Sequence, residues 1–274
     1  MRDWLKTLVA QASQSPALAR VPFHVQNMKI GSVEPIFMRH LALQPNQIER
    51  KQLLKEEQSG WHLTLGQSDV TSALNQLAGV LRDAGLAGAW RNEQLAVREE
   101  AGVQIGTIER GAVRQLGIAT LAVHLVGQTT DGRFWVQQRA LNKPNDPGKW
   151  DTLMGGMVSA EDTVETALER ETWEEAGLHI AELQSLHKLR YGGRQSNCRP
   201  SSDGAAGYMQ EFIEWYIATV PDGLTPINQD GEVAQFVLMD EAQLLAAMQR
   251  GEFTLEAALI FATVLGLLPG QFIS

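Results

Sequence analysis

The sequence predicts an α+β protein in two parts, a smaller α+β domain over residues 1–116 and a larger domain over 117–274 built on a mixed sheet. Three observations predict it. The chain has 274 residues, longer than a single hydrophobic core usually serves. At Gly117 the texture changes from short alternating segments and amphipathic helices to a near-continuous apolar run, Ile118 to Val126, as in a buried strand. An acidic helical stretch after Gly155-Gly156 then has strand-like segments on both sides and helices behind it.

In the first part, Trp4, Leu5, Leu8, Val9 and Ala12 recur at helical spacing, and Ser15-Pro16 ends that helix. Phe23 to Leu43 alternates loosely, with Gly31 and Pro35 as punctuation, and reads as one or two strands with a turn. Asn46 is placed to cap a short charged helix running through Lys55 and closed by Gly60. Trp61 to Gly66 alternates as a strand. Ser68-Asp69 opens a second helix with Val70, Ala73, Leu74, Leu77, Val80 and Leu81 on one face, stopping at Gly85. Short segments follow at Leu95 to Arg98 and Val103 to Ile108. No His, Cys or carboxylate cluster with ligand spacing occurs here, and Glu99, Glu100 and Glu109 read as solvated surface. This part reads as a substrate wall or a dimerisation surface.

In the second part, Thr129-Thr130-Asp131-Gly132 turns the buried run into a partner strand, Phe134 to Gln138. His124, inside the run, reads as a core histidine. Arg139, Lys143 and Lys149 fall in the loop before the Gly-Gly turn, where cations with several donors suit a diphosphate as well as ordinary solvation. Beyond the acidic helix, Leu183 to Tyr191 reads as a strand. Gly192 to Gly207, rich in Gly and Ser and carrying Arg194, Cys198 and Arg199, reads as a long mobile loop. Glu211 to Val220 and Val233 to Met239 are strands. Asp240 to Arg250 and Thr254 to Leu268 are helices.

The acidic helix carries the chemistry. Asp162, with Glu165 three residues on, forms a capping-box pattern that starts it, and Gly177 stops it. Glu171, Glu174 and Glu175 stand at i, i+3 and i+4, within a sector of roughly 100°. Like charges so placed repel by a few tenths of a kcal/mol per pair. An acidic solvated face is one reading; a hard divalent ion with oxygen ligands is the other. Glu232, at the start of a strand, is either a turn acid or a fourth carboxylate within reach of that ion.

From Gly156 to Leu178 the order Gly-x5-Glu-x7-Arg-Glu-apolar-x-Glu-Glu-x-Gly-apolar resembles the Nudix box, matched by Gly156, Arg170, Glu171, Glu174, Glu175, Gly177 and Leu178. Asp162 stands where that pattern has Glu, and Thr172 where it has an aliphatic residue. The resemblance implies an α/β/α sandwich for residues 117–274. Glu174 and Glu175 become the main Mg²⁺ ligands, with Mn²⁺ as a substitute and the Gly155 carbonyl beside them. Glu171 becomes a ligand or the base that activates water, and Arg170 orients it. Residues 108–128, 142–156 and 230–240 are similar to the thiamine-pyrophosphokinase-related Nudix branch, which also has a separate N-terminal domain. That likeness implies a hydrolase acting on thiamine diphosphate or its oxidised analogues and giving the monophosphate, with Arg139, Lys143 and Lys149 on the phosphates.

Two other classes compete. An isopentenyl-diphosphate-type isomerase shares the scaffold and a Pro-Gly-x-Trp approach, but the chemistry it resembles needs a Cys where this chain has Met154-Gly155-Gly156. A non-catalytic diphosphate-binding module would not need every box carboxylate, and Asp162 in the place of Glu leaves that class open.

The net charge of −9 and pI near 5.2 argue against non-specific nucleic-acid or membrane-surface binding, leaving a small anionic molecule as partner and a homodimer open. The single cysteine, Cys198, excludes an internal disulfide framework and suits a reducing, cytoplasmic setting. The N-terminal residues lack the apolar centre of a signal peptide, and the apolar run Ala257 to Leu268 is too short to span a bilayer.

Overall fold

The computed structural model describes residues 3–43, 53–183, 189–201 and 206–268. Its first helix, α1 (Asp3–Ala12), packs on a distant part of the chain. Leu5 and Ala12, with Trp4, Leu8 and Val9 beside them, join Leu255, Leu259 and Ala262 near the other end of the chain. The residues after α1 are tied to the same half. The Gln14 amide donates to the Cys198 carbonyl at 2.8 Å, and the Tyr208 hydroxyl donates to the Gln14 carbonyl at 2.9 Å.

β1 (Val21–Val25) and β2 (Met28–Val33) form an antiparallel pair. The rest of the stretch read as strand is α2 (Pro35–Ala42). Pro35 is its first residue, where a missing N–H leaves no helical bond unmade, and Glu34 caps it by accepting from the Ile36 and Phe37 amides. The charged helix expected from Asn46 lies mostly outside the described residues. Its last part does not form: Leu54 and Lys55 belong to β3 (Leu54–Glu57), which pairs with β4 (Gly60–Leu63). The sheet order is β2-β1-β4-β3.

α3 (Val70–Asp83) follows, with Asp69 accepting from the Ser72 amide at 2.8 Å as N-cap. β5 (Gln94–Arg98) and β6 (Gln104–Glu109) make a separate pair. Phe23, Leu74, Leu77, Leu81, Leu95 and Ile108 share one core, which extends to Leu116 and Ile118. Glu109 is buried rather than solvated. Its carboxylate accepts from the Arg91 and Gly111 amides at 2.8 and 3.3 Å, holding a single 3-10 turn at Arg110–Ala112.

The second part runs β7 (Thr120–Thr129), β8 (Phe134–Arg139), β9 (Trp150–Asp151), β10 (Met154–Met157), α4 (Val164–Ala176), α5 (Ile180–Leu183), β11 (Arg190–Pro200), β12 (Tyr208–Val220), β13 (Val233–Met239), α6 (Glu241–Gln249) and α7 (Leu255–Val264). The sheet order is β11-β12-β7-β8-β13, with β10 paired to β7 and β9 to β8. β12 and β7 run parallel while the other pairs are antiparallel, so the sheet is mixed. Alternation along the strands sends Val123, Leu125 and Ala218 to one face, against Ala167 and Leu168 of α4. It sends Ala122, Val126, Ile213 and Trp215 to the other, against Leu244, Ala247 and Phe261 of α6 and α7. This is an α/β/α sandwich.

Two segments here differ from their sequence reading. Leu183 closes the short α5 instead of opening a strand. The Gly/Ser-rich stretch read as a mobile loop is β11, paired along its length with β12. Its glycine content has a packing cause: a side chain at Gly192 would collide with the Trp215 ring. Residues 202–205 lie outside the described residues.

Candidate active site

The Gly155-Gly156 pair lies in β10, opposite His124 and Val123 of β7. Gly155 faces His124 so closely that a Cβ there would meet its ring. A Cβ on Gly156 would meet the Glu171 carboxylate. The pair therefore lets a strand slide between a buried imidazole and a helix-borne acid. His124 is buried, its Nδ1 2.9 Å from Thr152 Oγ1 and 3.6 Å from Asp151 Oδ1, and burial lowers its pKa despite Asp151. It is buried, as its apolar strand suggests, and it also lines the cavity that holds the box carboxylates.

α4 begins one residue later than the capping pattern indicates. Thr163 is the N-cap, and Thr166 completes the box, with amide-to-hydroxyl distances of 3.2 and 2.8 Å. Asp162 is thereby left for another task. Its Oδ2 accepts from Arg170 Nε and Nη2 at 3.1 and 2.8 Å. Arg170 Nη1 donates onward to Glu171 Oε1 at 2.9 Å and Glu174 Oε2 at 3.0 Å. The shorter acid at 162 still holds the guanidinium. Thr172, in the position expected to be aliphatic, is fully buried and donates its hydroxyl to the Leu168 carbonyl at 2.6 Å, which satisfies it within the helix. Gly177 ends α4 at φ 62°, as its sequence position indicates.

Glu175 is the most deeply placed of the acids, with 2% of its surface exposed. Its Oε2 accepts from Gln137 Nε2 at 2.8 Å and from the Gly155 amide at 3.0 Å. Lys143 Nζ stands 3.9 Å from its Oε1 and also pairs with Glu232. Burial pushes Glu171 up to about 7, against the pull of Arg170, and pushes Glu175 up to about 8, against Lys143 and the Gly155 amide. Burial also opposes ionisation of Glu232, yet Lys143 holds it below the usual carboxylate range.

Glu171, Glu174, Glu175, Lys143, Glu232 and Arg139 line one cavity of about 570 Å³. Arg139 pairs with Asp151 at 3.4 Å and donates to the Asn145 carbonyl. Lys149 does not line this cavity; it turns to Asp146 at 2.9 Å. Gln137 was not singled out by the sequence. The available signal is a polar residue at the inward phase of Phe134–Arg139, on the α4 side with Trp135. Glu93, Arg110 and Arg114 also line the cavity, from a part of the chain whose sequence carries no chemical signal.

Among the described residues, no three His, Cys, Asp or Glu groups already stand spaced as a metal cage. The donor set nonetheless fits a hard divalent ion. Among the described residues, Asp162, Glu171 and Glu174 pair with Arg170, and Glu175 and Glu232 with Lys143, five carboxylates on two cations. One nitrogen of Arg170 already draws Glu171 and Glu174 together, as a cation between them would.

The NUDIX domain profile matches residues 116–259. The chain belongs to the Nudix family. Nudix hydrolase 24, chloroplastic, of Arabidopsis thaliana is 25% identical over 245 residues, covering 85% of this chain and 63% of that protein. Nudix hydrolase 20, chloroplastic, of the same plant is 27% identical over 197 residues, 68% and 49% of the two lengths. The isopentenyl-diphosphate Delta-isomerase of Streptomyces coelicolor is 30% identical over 152 residues, 55% of this chain and 72% of that one. This Nudix chain therefore spans less than two thirds of the plant relatives. No helix among the described residues is long and apolar enough to cross a membrane.

Proposed function

We propose that this Nudix protein is a Mg²⁺-dependent hydrolase that cleaves the diphosphate linkage of a small organic diphosphate, thiamine diphosphate or an oxidised analogue, to the monophosphate and phosphate. The observation that carries the reading is the convergence of Glu171, Glu174 and Glu175 on Arg170 and Lys143 at the wall of one cavity. Glu174 and Glu175 would hold the ion, beside the Gly155 peptide, with Glu171 and Glu232 within reach. Bound there, Mg²⁺ supplies charge neutralisation for the diphosphate.

Glu171, a part-buried carboxylate beside Arg170, accepts a proton from the attacking water. The water oxygen bonds to one phosphorus, the bridging P–O bond breaks, and the other phosphate leaves with the electron pair. Arg170, fixed by Asp162, holds Glu171 in place. Lys143 and Arg139 line the cavity and stabilise the developing negative charge. The N-terminal part supplies one wall through Glu93, Arg110 and Arg114.

The isomerase relative does not shift this reading. Cys198, the sole cysteine, sits in β11 and is not among the cavity-lining residues, and burial raises its thiol pKa. Phosphate release from a panel of thiamine-type, nucleoside and sugar diphosphates, with Mg²⁺ and with EDTA, tests the function. Release from none of them in Mg²⁺ would rule the hydrolase out.

A further inference from the structure

Gln137 lies in β8 with 1% of its surface exposed, on the α4 side of the sheet and in phase with Trp135, which packs with Val123, Leu153 and Leu168. A polar side chain at such a position needs partners. It has one at one end only. Nε2 donates to Glu175 Oε2 at 2.8 Å, whereas among the described residues no donor meets the buried Oε1. Turning the amide over does not repair this, since its oxygen would then face a carboxylate oxygen. Met, unbranched and of similar volume, would fill the place without stranding an acceptor, so packing alone does not account for an amide here.

The way the Glu175 carboxylate is shared shows what the amide does. The Gly155 amide donates to the same Oε2 at 3.0 Å, so one oxygen takes both neutral donors. The other, Oε1, is left for positive charge, and Lys143 Nζ stands 3.9 Å from it. β8 and β10 both pair with β7, so the two donors are fixed to one strand and α4 lays the acid onto them. Glu171 and Glu174 are held differently, by the guanidinium of Arg170, a charge in direct competition with any other cation. The donors on Glu175 Oε2 are neutral and do not compete.

We propose that Gln137 is the positioning residue for Glu175, committing Oε2 of that carboxylate to the sheet and leaving Oε1 as the oxygen offered to a divalent cation. Gln137 is not among the cavity-lining residues and acts through Glu175 alone. The role rests on the reading of Glu175 as an acid that holds the ion. Loss of such an outer hydrogen-bond partner leaves a metal-binding carboxylate free to turn, which weakens its hold.

Mn²⁺ binding, followed by the EPR signal of the free ion with no diphosphate present, reads this role without turnover. Gln137→Met, which keeps the volume and removes the donor, is expected to raise the Mn²⁺ Kd by about ten- to a hundredfold. Gln137→Asn, which draws the amide back by one methylene, is expected to move Kd in the same direction, and either variant decides the matter if the other fails to fold. In a Glu175→Gln background, Gln137→Met is expected to add nothing. An unchanged Kd in folded Gln137→Met or Gln137→Asn overturns the assignment, even where Tm has fallen, since that pattern marks packing alone. A loss from Gln137→Met that persists undiminished when Glu175 is already Gln overturns it too, as does a wild-type protein that binds no Mn²⁺. Mn²⁺ affinity that depends on Gln137, in a protein that releases phosphate from no diphosphate, would count against the hydrolase reading and leave the positioning role standing.

Discussion

Gly156 and the Glu171 carboxyl group are in such close register that a methyl group on the Gly156 Cα would overlap the acid. Gly156 has no positive φ, so the requirement is for space and not for an unusual backbone conformation. Gly156→Ala is expected to displace Glu171 and lower kcat, with a stability loss of about 1–3 kcal/mol from overpacking. A thermal melt alongside phosphate-release kinetics checks both. Wild-type kinetics in a folded Gly156→Ala would remove Glu171 from the chemistry.

Glu174 is the most exposed box carboxylate, with 41% of its side chain accessible, and among the described residues its carboxylate pairs with Arg170 alone. Glu174→Gln should therefore melt within about 2 °C of wild type while losing at least about a hundredfold in kcat, the scale of removing a group that acts in the transition state. Retained turnover would show that the site has been assigned to the wrong helix face.

Asp162 also accepts from the Ser159 and Thr166 hydroxyls, but it reaches Glu171 and Glu174 through Arg170. Asp162→Ala frees the guanidinium to settle on Glu171 and Glu174, and kcat should fall by about tenfold, with KM little changed, as expected for a lost positioning contact. Asp162→Glu should recover most of the loss. Equal rates in all three proteins would mean that Arg170 needs no anchor.

Metal binding should register in stability as well as in rate. Surplus negative charge around Arg170 and Lys143 destabilises the folded chain, so millimolar Mg²⁺ should raise Tm, with a gain of about 2.7 kcal/mol at a hundred times Kd. Glu174→Gln should show a smaller rise. A melting curve indifferent to Mg²⁺ and EDTA would argue against an ion at this site.

The pH dependence of stability should carry the mark of Glu211. Its carboxyl titrates near 7 in the folded chain against an ordinary value of 4.5, so between those values the folded form holds a proton that the unfolded form has released. This contribution favours folding below about 4.5 and is lost as pH rises through about 7. The wild-type chain should therefore lose more stability between pH 5 and pH 8 than Glu211→Gln does. Denaturant unfolding of both proteins in EDTA across that window measures the difference, and parallel profiles would show that Glu211 ionises normally.

The helix around Glu171 and the strands β7, β8, β12 and β13 were legible because their signals are local: apolar runs or alternation, a Gly stop, and acids on one helical face. What could not be read depended on contacts made at a distance. Asp162 looks like the cap, and only the Arg170 guanidinium eight residues on shows that it is used elsewhere while Thr163 caps the helix. Gly192 looks like loop until Trp215 of the neighbouring strand is seen to fill its place. Glu109 looks solvated until the Arg91 and Gly111 amides close on it. Pro35 marks a break from either direction, and Glu34 makes it a helix start. Of the cations before the box, Lys143 and Arg139 line the cavity while Lys149 does not and pairs with Asp146, a choice made by loop geometry that no spacing rule encodes.

α1 lies on α7, so the polypeptide begins its described course on the catalytic half, leaves to build the smaller sheet, and then returns. Severing the backbone near residue 116 would not yield two self-sufficient pieces. The C-terminal fragment would bare Leu255, Leu259 and Ala262, and the N-terminal fragment would trail a greasy helix with nothing to lie against. A minimal catalytic fragment would have to be supplied with residues 3–14 as a separate peptide.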